Sequence, residues 1–187
     1  MSDQRAAHPQ IRGDQGVDPH NQGSGPIRPH QGIIFDIFPR SSRSRYYADM
    51  TRPVVKGKAP EELRRLYDAV LASQLRGIEL IHDGASGSAI HAEVNRTLET
   101  RGYKTGVVNG RNQGFFHGTG HGVGLDIHEM PRISRLDSEL KTGHVVTVEP
   151  GLYYPGRGAV RIEDMVLVEG SGCRNLTRSP KMELLEL

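Results

Sequence analysis

Three carboxylates in this chain stand inside apolar runs of the kind that form buried strands. Asp36 lies within IIFDIF, Glu149 closes HVVTVEPG, and Glu163 sits in AVRIEDMVLV. Taking an ionised carboxylate out of water is costly unless a counter-charge and hydrogen bonds compensate it. Any fold built from these strands must therefore bring positive charge to three acids at once. For any one of them a structural salt bridge serves as well as a metal, and Arg161, two residues before Glu163 on the same strand face, is a natural partner. For three together the salt-bridge reading weakens.

With 35% hydrophobic residues in 187, the chain has enough apolar surface for one globular domain with a core. Its 24 basic and 22 acidic residues are well mixed, so composition marks no strongly basic face and nucleic acid is not expected as a partner. No window approaches the roughly 20 apolar residues that span a bilayer, and the residues after Met1 do not read as a signal peptide. The expectation is a cytoplasmic protein with no membrane partner. Cys173, the single cysteine, lies in the turn-like SGCRN and reads as an incidental thiol.

Residues 1–31 are rich in Gly, Pro, Gln and His and by composition alone read as a flexible leader. From Gly32 the texture changes, and IIFDIF, the polar PRSSRS and RYYADMTRPVV predict a hairpin. Leu63, Leu66, Val70, Leu71, Leu75 and Ile78 fall at helical spacing over 60–82, with Pro60 suited to the first turn and Gly84 beyond the end. A second helix is predicted over 88–101, ending at Gly102. Three strand-like segments follow, near 115–128, 144–149 and 159–168. The pattern is a mixed α+β domain, residues 32–187, whose antiparallel strands carry the unusual residues.

Asp49, in YYADMTR, follows Asp36 on the next strand, so a hairpin can place the two acids close enough to share an ion. HGTGHGVGLDIHEMP adds His117, His121 and His128 among glycines, a density that imidazole ligation or proton transfer explains. Two tempting motifs fail. Val123 and Leu125 stand where a GxGxxG loop needs glycine, and Arg132 stands where HExxH needs its second histidine. Four carboxylates and at least one imidazole remain, a hard, oxygen-rich set with too much charge for one ion. Two divalent ions about 3.5 to 4 Å apart would balance it and hold a hydroxide nucleophile between them.

In the order Asp, Asp, His, Glu, Glu, the chain resembles the pita-bread metallopeptidases, which include methionine aminopeptidase, aminopeptidase P and prolidase. The segments that carry the likeness are FDIFPRSSRSRYYADMTR, GFFHGTGHGVGLDIHEMP, VVTVEPGLYY, VRIEDMVLV and NLTRSPKMELLEL. The resemblance implies a curved antiparallel sheet covered by helices. It further implies two divalent metal ions, manganese first among cobalt, zinc and iron, held by Asp36, Asp49, His121, Glu149 and Glu163. Asp49 and Glu163 would bridge the pair, and Glu149 would also take a proton from the bridging water. The proline-specific branch is the nearest, which implies hydrolysis of Xaa-Pro bonds in a peptide with proline after the scissile bond. In that branch His117 and His128 hydrogen-bond the substrate and the tetrahedral intermediate, Arg161 matches the arginine beside the last ligand, and His20 matches an upstream histidine. That match turns residues 1–31 into a segment contributing to the active site.

Two departures from the pattern stand out. Asp36 and Asp49 are thirteen apart, wider than the common family spacing, so the intervening turn must be longer. Two helices and a strand that open the family's catalytic domain have no counterpart here, so the first helical layer is expected to be missing and apolar surface laid bare. The alternatives are a methionine aminopeptidase-type enzyme, against which the residues around His20 and His117 speak, and a shortened noncatalytic module that binds another protein. The resemblance leaves a homodimer open.

Overall fold

The structure, a computed structural model, describes residues 26–187. His20 and most of the proposed active-site leader lie outside the described residues. Pro26 to Gln31 run along the surface, where His30 N donates to Lys56 O and the His30 ring meets Lys58 O at 2.8 Å.

The first hairpin forms as the pattern predicts. Strands β1 (Gly32–Ile37) and β2 (Met50–Val55) pair antiparallel with Asp36 opposite Thr51. The long connection is absorbed outside this ladder. Arg40 bridges Tyr47, and a turn closed by Ser41 N to Tyr46 O at 2.9 Å places Arg45 at a φ of 71°. The β1–β2 register is thus independent of the extra residues between the two aspartates.

Two helices follow, α1 (Glu61–Glu79) and α2 (Gly87–Thr100), within one residue of the expected ends except that α1 stops three residues early. Pro60 is the residue preceding the first turn of α1 rather than part of it, and Glu61 and Glu62 complement the positive end of the helix dipole. Ser86 caps α2, its side chain accepting from Ala89 N at 3.2 Å. Gly102, at φ +89°, ends that helix in the left-handed conformation that a side chain would disfavour. The apolar stripe of α1 is core, with Leu63, Leu66 and Val70 buried against Val94 and Leu98 of α2. A Cβ at Gly77 would lie 2.9 Å from Val94 and 3.2 Å from Val148, so a side chain there would wedge α1 away from its neighbours.

The exposed hairpin β3 (Gly106–Val108) and β4 (Arg111–Gln113) turns through Asn109 and Gly110, both at positive φ. The remaining strands are β5 (Gly120–Gly122), β6 (Glu129–Ile133), β7 (Val145–Val148), β8 (Gly151–Tyr154), β9 (Gly158–Arg161), β10 (Asp164–Glu169), β11 (Gly172–Asn175) and β12 (Leu185–Glu186). They assemble as a five-stranded sheet, β11-β10-β7-β5-β6, a three-stranded sheet, β1-β2-β12, and the pair β8-β9. Val146, Val148, Val160, Ile162, Val166 and Val168 face the helices in one core with α1 and α2.

Two expected strands are corrected. The segment near 115–128 contributes strand only at 120–122, because its glycines and histidines bend away on either side and the register shifts after His121. The segment 159–168 is not continuous. It leaves β8 after Arg161 and joins β7 at Asp164, and in between Glu163 N donates to Thr51 O at 3.1 Å. The expected bare apolar face is also not seen among the described residues. Their exposed large apolar side chains lie mostly in loops, in β3 and near the end of the chain, and β6 alone contributes one from the five-stranded sheet.

Candidate metal centre

A cavity of about 440 Å³ opens between the two larger sheets, lined by Asp36, Asp49, His117, His121, His128, Glu149, Arg161 and Glu163 among others. Eight of the nine site residues expected from the sequence therefore face one space; the ninth, His20, lies outside the described residues. Five different segments deliver the four acids and His121. Asp36 comes from β1, Asp49 from the residue before β2, His121 from β5, Glu149 from the end of β7 and Glu163 from the link between β9 and β10.

Asp49, His121 and Glu163 are buried, and each offers a ligand atom within 4.8 Å of the other two. His121 Nδ1 lies 3.0 Å from Gly122 O, which fixes it as the N–H donor and turns Nε2 to the acids. Nε2 is 3.2 Å from Glu149 Oε1 and 3.8 Å from Asp49 Oδ2. The backbone behind it is close-packed: a Cβ at Gly120 would stand 1.9 Å from Thr147 O. Asp36 stands apart from the triad, ion-paired with Arg161. The sequence reading had offered Arg161 to Glu163, its near neighbour in the chain, and the fold gives it Asp36 as well.

Residues to which the sequence reading gave no role complete the shell. Thr51 Oγ1 donates to Glu163 Oε2 at 2.6 Å and accepts from Arg161 Nε at 3.3 Å. The hydroxyl of Tyr153, a fully buried side chain, lies 2.9 Å from His117 Nε2 and accepts from Arg161 at 3.3 Å. His117 Nδ1 is 2.8 Å from Gly118 O, so Nε2 takes the tyrosine proton and the histidine is locked in one tautomer. The His128 ring packs on His121 with centroids 4.3 Å apart. Thr51 and Tyr153 lie within the segments ADMTR and VEPGLYY, whose acids drew attention; a polar side chain in a buried run was the available signal.

The electrostatics are those of an under-compensated acid cluster. Burial, reinforced by Asp36 and Glu149, pushes the Asp49 carboxyl up to about 7. Burial and the charges of Glu149 and Asp49 push Glu163 well above the usual carboxylate range, although Arg161 opposes them. Burial also works against ionisation of Glu149, yet the hydrogen bond and charge of His121 hold it down at about 2. Burial favours neutral His121, and Glu149 outweighs it, keeping the imidazole protonated to a higher pH than usual. Four carboxylates facing Arg161 and His121 thus ionise only in part. Hard oxygen donors with an imidazole nitrogen, buried and converging within ligand distance, are a donor set that fits divalent metal.

The model of metallopeptidase family M24 matches residues 4–170. An Xaa-Pro dipeptidase of Pyrococcus furiosus is 40% identical over 141 residues, covering 75% of this chain and 38% of the relative. The crystal structure of an X-Pro aminopeptidase from Thermotoga maritima superposes with a TM-score of 0.81 at 31% identity, over 90% of this chain and 46% of that one. That of a dipeptidase from Pyrococcus horikoshii gives 0.82 at 34%, over 94% and 47%. The chain spans less than half the length of each of these relatives. The α+β architecture is part of the pita-bread fold, as the resemblance implies. With the family model covering most of its length, the chain belongs to metallopeptidase family M24.

Proposed function

We propose that this chain forms the catalytic part of a metal-dependent exopeptidase that hydrolyses Xaa-Pro bonds. The observation that carries the reading is the convergence of Asp49, His121 and Glu163, buried and with ligand atoms within 4.8 Å of one another, in the lining of the cavity. The substrate class rests on likeness to relatives described as Xaa-Pro dipeptidases and to X-Pro aminopeptidase. Asp36, Asp49, His121, Glu149 and Glu163 would hold two divalent ions, manganese first, since four carboxylates carry more charge than one ion balances. When bound, such ions supply Lewis acidity toward a scissile carbonyl and acidify water to a hydroxide nucleophile near neutral pH.

The residues of the chain do the rest. Glu149 takes a proton from the attacking water at its carboxylate. His128, beside His121 at the cavity wall, donates to the oxyanion that develops on the substrate. His117, held by Gly118 O and Tyr153, and Arg161, held by Asp36 and Thr51, shape the pocket around the peptide. His20 and the segment 1–31 join this site, and a cytoplasmic setting and a homodimer belong to the same proposal. No helix among the described residues is long and apolar enough to cross a membrane.

The test is to supply the 187-residue protein with Mn2+, count the bound ions and follow release of proline from an Xaa-Pro dipeptide. About two ions and turnover are expected, both lost in Glu163→Ala. Turnover that survives Glu163→Ala would refute the assignment of that ligand; metal uptake with no turnover would favour a noncatalytic binding module.

A further inference from the structure

Glu163 occupies an exposed position in topological terms, although its side chain is buried. It lies in the short link where the chain leaves the pair β8-β9 and enters the five-stranded sheet, so neither ladder fixes its backbone. Its N–H donates to Thr51 O at 3.1 Å. Its carbonyl accepts from Arg52 at 2.6 Å. Both ties run to β2, the strand entered directly after Asp49.

Arg52 has all five of its N–H donors engaged. Nη1 donates to Glu163 O at 2.6 Å and Thr51 O at 2.9 Å. Nη2 donates to Asp164 Oδ1 at 2.7 Å and Ser179 O at 2.9 Å, and Nε to Pro180 O at 3.2 Å. Asp164, fully buried, accepts at its other oxygen from Asn175 at 2.6 Å and from Lys181. Lys181 also donates to Gln74 Oε1 at 2.6 Å, and Gln74 Nε2 reaches Val148 O, one residue before Glu149, at 3.2 Å. Tyr67 pins the same stretch from below, its hydroxyl 2.7 Å from Lys181 O.

We infer that Arg52, clamped by Asp164 and by the backbone of Ser179 and Pro180, is a positioning residue that sets the spacing between Asp49 and Glu163 and so tunes metal affinity. The inference rests on reading those two acids as metal ligands. Arg52 touches neither carboxylate. It acts through the peptide carbonyls of Thr51 and Glu163, and only a planar fork of five donors can meet acceptors on three separate segments at once. Lysine keeps the charge and the pair with Asp164 but loses the fork, taking from the Glu163 carbonyl the donor that Arg52 supplies and leaving the Glu163 link free to drift. Buried polar groups that orient ligands in this indirect way commonly contribute about 10- to 100-fold in metal affinity.

The experiment measures the Mn2+ dissociation constant of the full chain by calorimetry, with the metal-free melting temperature alongside. R52K should raise the dissociation constant about 10- to 100-fold. Leu98→Ala, a core truncation in α2, should lower the melting temperature and leave the dissociation constant unchanged, which separates positioning from general stability. A folded R52K protein that binds Mn2+ as tightly as the wild type overturns the inference. Should R52K not fold, N175A and K181M, which loosen Asp164, take its place, and wild-type affinity in both overturns it equally. A wild-type chain that takes up no Mn2+ refutes the metal reading itself, a failure distinct from equal binding by wild type and variant.

Discussion

Metal binding by this chain should be strongly coupled to protons, and the coupling can be worked out from the site. Asp49 titrates at about 7 in the metal-free protein. An acid whose pKa is raised holds its proton below that pKa, and a cation must displace the proton to use the carboxylate. The deprotonated fraction of such a group falls from about 0.9 at pH 8 to about 0.1 at pH 6, so Asp49 alone weakens Mn2+ binding about tenfold, or about 1.4 kcal/mol, across that interval. Glu163 and His121, both raised, push in the same direction and steepen the slope. Glu149, held at about 2, adds nothing in this range. Calorimetric titration with Mn2+ at pH 6 and pH 8, repeated in two buffers of different ionisation enthalpy, gives the affinity and the protons released together. An affinity that changes less than about twofold over this range, with no proton released, would refute the reasoning, because a self-repelling acid cluster cannot bind a cation without giving up its protons.

Two further outcomes follow from the same electrostatics. Asp49→Asn should abolish tight Mn2+ binding yet stabilise the metal-free protein by about 4 kcal/mol at pH 8, where the wild-type acid is ionised against its neighbours. That gain should shrink to about 2 kcal/mol at pH 5, where most of the penalty is removed by protonation, as thermal or denaturant unfolding at the two pH values will report. Thr51→Val removes the hydroxyl 2.6 Å from Glu163 Oε2. A hydrogen bond to the ionised, metal-holding carboxylate is worth about 1 kcal/mol more than one to the protonated acid, so the Mn2+ dissociation constant should rise about fivefold; calorimetry showing no change would mean that the hydroxyl does not sense the charge on Glu163.

The anomalous acids could be found in the sequence because burial is written in the neighbours. Ile33, Ile34, Val146, Val148, Val160 and Ile162 announce buried strands, and a carboxylate among them is conspicuous. Helices α1 and α2 were legible for a similar reason, since apolar side chains recurring every three or four residues and a terminal glycine are local signals. The short strands were not. The dipeptide Asn109-Gly110 marks the β3–β4 turn, but the three-residue strands on either side carry too few residues to show an alternation. The division of 159–168 was equally hidden, because the change of sheet at Glu163 is imposed by Thr51, more than a hundred residues away.

What the sequence determined by itself is the inventory: which acids and histidines are out of place, in which apolar or glycine-rich runs they stand, and that their charge needs compensation. Alternation and composition are properties of neighbours in the chain, and they carry that information without a fold. The tertiary structure decided the grouping. It brought Asp49, His121 and Glu163 within 4.8 Å of one another, gave Arg161 to Asp36, and put Arg52 behind Glu163 with Asp164 and Ser179 as its anchors. These are contacts between distant segments, fixed by strand register and by a change of sheet, and hydrogen-bond geometry across such contacts leaves no periodic trace along the chain.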